Sequence, residues 1–156
     1  MDSGRNVTWI PSYGPEMRGG TAHCTVIISD DPIGTPLIDR PDIAIVLNGP
    51  SFKKYAPLVN PGGLLAVNSS IIEQNSTRTD IDIVMVPANG IAEEMGSGKM
   101  MNMAMLGAML ARRPVFEMAV LEQALKDHLP ASKAHLLESN LQVLKRGFEV
   151  GDTIPV

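Results

Sequence analysis

The sequence predicts an α/β fold: a single Rossmann-like domain over residues 1–156, with a mostly parallel sheet flanked by helices and a helical C-terminal third. Three observations carry this prediction. The runs P-D-I-A-I-V-L-N at 41–48, L-L-A-V-N at 64–68 and I-D-I-V-M-V at 81–86 are short and predominantly apolar, the pattern of strands covered on both faces. Between the first two lies a helical segment, which makes a strand–helix–strand crossover of the right-handed kind. From residue 91 onward apolar side chains recur at helical spacing.

Taken in order, V-T-W-I-P-S at 7–12 reads as a strand that Pro11 ends or places at an edge. A loop rich in glycine follows, then H-C-T-V-I-I-S at 23–29 is a second strand, closed by the turn signal D-D-P-I-G. Gly49, Pro50 and Ser51 open a short helix to about residue 58, which N-P-G-G at 60–63 ends. The polar stretch 73–80 reads as loop. A helix is expected over 91–112, apolar on nearly every side and so enclosed by the sheet and a further element. Pro114 is placed as the first residue of the next helix. The last helix is expected to be capped by Ser132 and to carry the stripe Leu137, Leu141, Leu144, Phe148. There is no internal repeat and no low-complexity tail.

Composition narrows the function. With 156 residues the chain has room for one hydrophobic core. A net charge of -4, with no clustered basic run, argues against nucleic acid as a partner. Ten methionines against 4% aromatics point to a core or interface built from adaptable thioether side chains. The one cysteine, Cys24, excludes an internal disulfide and is too few for an iron–sulfur cluster, which takes about four thiolates. His23, His128 and His135 lack companion cysteine ligands and read as solvated rather than metal-binding. With neither a signal peptide nor an apolar run near 20 residues, a soluble cytoplasmic protein without membrane contact is expected.

The most informative segment is the loop at 12–21. Glycines at 14, 19 and 20 let the backbone approach a ligand or a neighbouring chain, and Arg18 among them is placed to offer a bidentate donor to a phosphate or carboxylate. The same composition also suits a tight turn between two strands, with Glu16 and Arg18 solvated or paired. Asn48 and Asn68 end successive parallel-type strands, so Asn48, Gly49, Asn68 and Ser69 line a crevice at the edge where open α/β sheets bind ligands, or else cap the elements that follow. Gly96, Gly98 and Asn102 interrupt an apolar helix, a sign of close helix packing. Glu93 and Glu94 are adjacent on a helix and point apart, so they read as a solvated helix start. No Walker loop, G-x-G-x-x-G, G-x-S-x-G or H-E-x-x-H occurs, and no nucleophile, base and orienting group stand together.

The block V-T-W-I-P-S-Y-G-P-E-M-R-G-G-T-A-H-C-T-V-I-I-S-D at 7–30 resembles the gamma subunit of 2-oxoacid:ferredoxin oxidoreductases, and the run S-Y-G-P-E-M-R-G-G-T-A-x-C is nearer the 2-oxoglutarate or 2-oxoisovalerate branch than the pyruvate branch. The likeness continues through 42–70, V-P-A-N at 86–89 and N-M-A-M-L-G-A at 102–108. It implies a non-catalytic subunit of a complex that turns a 2-oxoacid, 2-oxoglutarate as first choice, and coenzyme A into acyl-CoA, CO2 and reduced ferredoxin. It further implies thiamine diphosphate, Mg and 4Fe-4S clusters on alpha, beta and ferredoxin-like delta partner subunits, with ferredoxin as acceptor. By the same resemblance Tyr13, Gly14, Glu16, Met17, Arg18, Gly19 and Gly20 form a coenzyme A- or subunit-facing loop, and no residue of this chain is catalytic. Gamma subunits of this kind begin with a strand, a G-x-G-G-Q-G loop and a helix. This sequence starts roughly where that helix ends, so exposed apolar surface is expected, and with it aggregation or a compensating homodimer of the isolated chain. From another class, the residues alone also fit a free-standing α/β module that binds a nucleotide or phosphate.

Overall fold

The computed structural model describes residues 4–12, 22–96 and 98–153. It divides into two compact units, Met1–Asp39 and Arg40–Val156.

The first unit holds β1 (Asn6–Ser12) and β2 (His23–Ser29), paired antiparallel with Trp9 opposite Val26 and Val7 opposite Ile28. Side chains alternate across a strand, so these four apolar residues share one face of the ribbon. Arg5 and Asp30 close its open end with an ion pair at 2.9 Å.

The second unit is built on a three-stranded parallel sheet of order β3-β4-β5, from β3 (Ile43–Val46), β4 (Leu64–Asn68) and β5 (Asp82–Val86). Every residue of central β4 is buried, which is why its sequence is continuous rather than alternating. Alternation still sorts its side chains by face. Leu64 and Ala66, with Val84 and Val86 of β5, enter the larger core, whereas Leu65 and Val67 enter the smaller one with Val46, Phe52, Val59 and Ile72. The smaller core is roofed by α1 (Gly49–Tyr55) and the 3-10 turn that follows at Ala56–Leu58. The larger core lies against α2 (Ala88–Glu94), α3 (Met101–Arg112) and α5 (Leu137–Thr153), and α4 (Met118–His128) packs its Met118, Leu121 and Leu125 onto the same cluster.

The seam of α3 and α5 brings backbone against backbone. A methyl group on Gly147 would lie 2.1 Å from the Ala104 carbonyl oxygen, one on Gly107 would lie 2.0 Å from that of Leu144, and one on Gly151 would lie 2.6 Å from that of Ala108. Only glycine lets the two helices approach so closely.

Three expected boundaries differ. The helix expected over 91–112 is two helices, α2 and α3, with Gly96 in the left-handed region at φ 87° and a 3-10 turn at Gly98–Met100 between them. Pro114 does not begin a helix. Arg113 before it is extended, as a residue preceding proline prefers, and α4 starts only at Met118. Ser132 does not cap α5, because it lies inside a 3-10 turn, Ala131–Leu136, that runs directly into that helix.

Candidate functional site

The strands of the parallel sheet all end at one edge, and the polar residues that terminate them are joined there. Asn48, beyond β3, caps α1 by accepting the Ser51 backbone N–H on its Oδ1 at 2.9 Å, the local reason the chain turns from strand to helix after Leu47. Gly49 is the first residue of that helix. Asn68 closes β4 and is wholly buried. Its Oδ1 accepts the Ser70 backbone N–H at 3.2 Å, and its Nδ2 donates to Asn89 Oδ1 at 2.9 Å and contacts Met101 Sδ at 3.8 Å. Its carbonyl oxygen accepts from Ile72 N–H at 3.0 Å, and Ser69 N–H donates to Val86 O at 2.8 Å. Ser70 Oγ in turn accepts the Asn89 backbone N–H at 3.1 Å. Asn68, Ser70 and Asn89 thus tie together the end of β4, the loop after it and the first turn of α2, with Met101 of α3 behind them.

Of the residues expected to line the crevice, the structure places Asn68 and Ser69 at the end of β4 and Asn48 and Gly49 at the end of β3, on the carboxyl edge of one sheet. Asn89, Ser70 and Met101 were not singled out from the sequence as site residues. The signal for Asn89 was its position three residues after the end of β5, at the same sheet edge. The loop residues Tyr13, Gly14, Glu16, Met17, Arg18, Gly19 and Gly20 lie outside the described residues.

The opposite edge carries charge. Arg112, at the last turn of α3, pairs bidentately with Asp82 at the start of β5, Nε to Oδ2 at 3.0 Å and a terminal guanidinium nitrogen to Oδ1 at 2.5 Å, with side chains only 7% and 14% exposed. Arg78 donates to the carbonyls of Ala56 at 3.2 Å and Val59 at 2.6 Å while pairing with Asp80. The hydrogen bond between Arg78 and Asp80 holds the Asp80 carboxyl below the usual carboxylate range and raises Arg78. Arg113 reaches Gly62 O at 2.7 Å.

Among the described residues no group of three His, Cys, Asp or Glu side chains stands close enough to hold a metal ion. His128 and His135 are exposed, as is the Cys24 thiol. No helix among the described residues is long and apolar enough to cross a membrane. A shallow cleft of about 250 Å³ between α4 and α5 is lined by Met118, Lys145, Phe148 and Glu149.

Known proteins share this fold. The chain is 35% identical over 149 residues to ketoisovalerate oxidoreductase subunit VorA of Methanothermobacter marburgensis, a match over 94% of this chain that spans only 30% of the length of that relative. It is 32% identical over 141 residues to 2-oxoglutarate synthase subunit KorC of Methanocaldococcus jannaschii, covering 89% of this chain and 74% of that one. The crystal structure of the keto/oxoacid ferredoxin oxidoreductase gamma subunit from Geobacter sulfurreducens superposes with a TM-score of 0.78 at 27% identity, over 96% of this chain and 82% of that one. The pyruvate ferredoxin/flavodoxin oxidoreductase model matches residues 1–150, through both units and the whole of the polar edge. A fold and a sequence that agree over this length place the chain in the pyruvate ferredoxin/flavodoxin oxidoreductase family.

Proposed function

We propose that the chain is the gamma-type, non-catalytic part of a 2-oxoacid:ferredoxin oxidoreductase, with residues 1–156 acting as one domain of a complex that converts a 2-oxoacid and coenzyme A into acyl-CoA, CO2 and reduced ferredoxin. The observation that carries this reading is the match to a 2-oxoglutarate synthase subunit over 89% of this chain and 74% of that relative, which also makes 2-oxoglutarate the first substrate to test. The family match running across both units supports treating them as one functional domain.

In this reading thiamine diphosphate, Mg and 4Fe-4S clusters reside on alpha, beta and ferredoxin-like delta partners, and ferredoxin takes the electrons in the cytoplasm. The single cysteine is consistent with clusters held elsewhere. This chain supplies two surfaces: the loop Tyr13 to Gly20, with Arg18 as an anion partner for coenzyme A or a neighbouring subunit, and the crevice beyond Asn48, Gly49, Asn68 and Ser69. The crevice offers neutral amides and hydroxyls, which suit an uncharged part of a ligand, and the loop separately offers one guanidinium, which suits an anion.

Two measurements test it. Affinity purification of the tagged chain from its own host should bring thiamine- and cluster-bearing partners, with a homodimer as the form of the isolated subunit, whereas a lone, monodisperse protein that binds a nucleotide or phosphate would support a free-standing module. Within the purified complex, Arg18→Ala should raise KM for coenzyme A or weaken assembly by about 10-fold, the loss expected of one charge-assisted contact. If both stay unchanged, the assignment of the loop fails.

A further inference from the structure

The hydrogen bonds at the carboxyl edge fix the orientation of each amide in turn. The Ser70 backbone N–H can only donate, so the Asn68 atom that receives it is Oδ1. Asn68 Nδ2 must then face Asn89 and Met101, and both of its protons are directed to them. The Asn89 atom receiving one of these protons must be an acceptor, its Oδ1. The backbone N–H of Asn89 is already taken by Ser70 Oγ. What remains is the Asn89 Nδ2, a half-buried donor with no acceptor among the described residues, held by a wholly buried neighbour on the sheet edge where α/β folds receive ligands.

We propose that Asn89 is a ligand-facing residue of this crevice, donating from Nδ2 to an uncharged carbonyl oxygen of the ligand, and that Asn68 is its positioning residue. The groups bonded together here are neutral, which favours an amide carbonyl over a phosphate or carboxylate. Under the coenzyme A reading above, on which this step rests, the acceptor is an amide carbonyl of the pantetheine arm. Burial of Asn68 gives the geometry its rigidity, because turning its amide over would set the Ser70 N–H against an NH2 group and leave both unsatisfied.

The test uses the purified complex. Asn89→Asp retains the oxygen that accepts from Asn68 and replaces the free NH2 by a second carboxylate oxygen, so the network persists while the outward group changes from donor to acceptor. The expected result is a rise of about 10-fold or more in KM for coenzyme A, a much smaller change in KM for the 2-oxoacid, and an unaltered thermal midpoint. Asn89→Ala, which removes the group without adding charge, should raise KM for coenzyme A in the same direction. Asn68→Asp keeps the bond from Ser70 but no longer donates to Asn89, and should reproduce part of the effect. An assembled Asn89→Asp or Asn89→Ala complex whose KM for coenzyme A stays within about two-fold of wild type overturns the proposal and leaves the subunit reading standing. A wild-type complex without coenzyme A-dependent activity overturns both.

Discussion

The two edges of the parallel sheet are held in different ways. At the amino edge the contacts are ionic and closed: Arg112 is bidentate on Asp82, Arg78 is spread over Asp80 and the carbonyls after α1, and Arg113 reaches Gly62 O. At the carboxyl edge they are neutral: Asn48 accepts the Ser51 backbone N–H, and Asn68, Ser70 and Asn89 bond to one another's side chains and backbone. Charges buried without partners are costly, so an edge that only needs to be sealed can use saturated ion pairs. An edge that exchanges a ligand for water is better served by neutral groups, whose desolvation costs less. The strut between the edges is α3, with Met101 against Asn68 and Arg112 against Asp82.

The largest effect is therefore expected where that strut is seated. Gly147→Leu drives a branched side chain into the Ala104 backbone and should cost about 3 kcal/mol or more, enough to leave such a domain partly unfolded. Denaturant titration followed by far-UV circular dichroism reads it, and a midpoint equal to wild type would mean that α3 and α5 are not packed as described. Next comes the amino edge alone. Arg112→Ala strands the Asp82 carboxylate among buried groups and should destabilise by about 3 kcal/mol, with the paired change Arg112→Met and Asp82→Leu recovering much of the loss. If the double change is as harmful as the single one, the pair does more than close the edge.

The smallest effect concerns pH and separates the edges most directly. Asp80 is held below its ordinary value of 3.8 by Arg78, so the unfolded chain binds this proton more readily than the folded one. The pair's contribution to stability is present above that value and is lost as pH falls through the lower folded-state value. Comparing acid unfolding of wild type and Asp80→Asn, the difference in stability should shrink to nothing on acidification. A difference that stays constant with pH would remove the ionic account of this edge. The amides of the carboxyl edge do not titrate, so Asn68→Asp and Asn89→Asp would introduce acid sensitivity where the wild type has none.

Much of this was readable in advance, for definite reasons. The three parallel strands were found because strands covered on both faces must be continuously apolar, and the crossover helix because Gly49, Pro50 and Ser51 carry a helix start. The stripe of α5 was legible, and Leu141 and Leu144 are buried. What failed were boundaries whose signals have two meanings. Pro114 is compatible with a first helical turn and equally forces Arg113 to be extended, and the second effect prevailed. Ser132 offers a cap, but a helix entered through a 3-10 turn has no extended residue to cap.

The carboxyl-edge site was half legible. Asn48 and Asn68 stood at strand ends in the sequence, yet Asn89 stood out only as the end of the run V-P-A-N at 86–89, because the role proposed for it rests on a hydrogen bond to a residue 21 positions earlier. The glycines that mattered for helix packing were likewise Gly107, Gly147 and Gly151 rather than Gly96 and Gly98. The four-residue spacing of Gly147 and Gly151 was their only local sign.

By itself, then, the sequence determined the α/β class, the parallel strands with their crossover, and a family likeness spread along most of the chain, because periodicity and local turn chemistry are properties of neighbouring residues. The tertiary structure alone decided which glycines admit a facing backbone, which carboxylate each arginine meets, and which amide of a linked pair is left with a free donor. Those depend on groups far apart in the chain and on the directionality of hydrogen bonds, which allow one arrangement once the partners are in place.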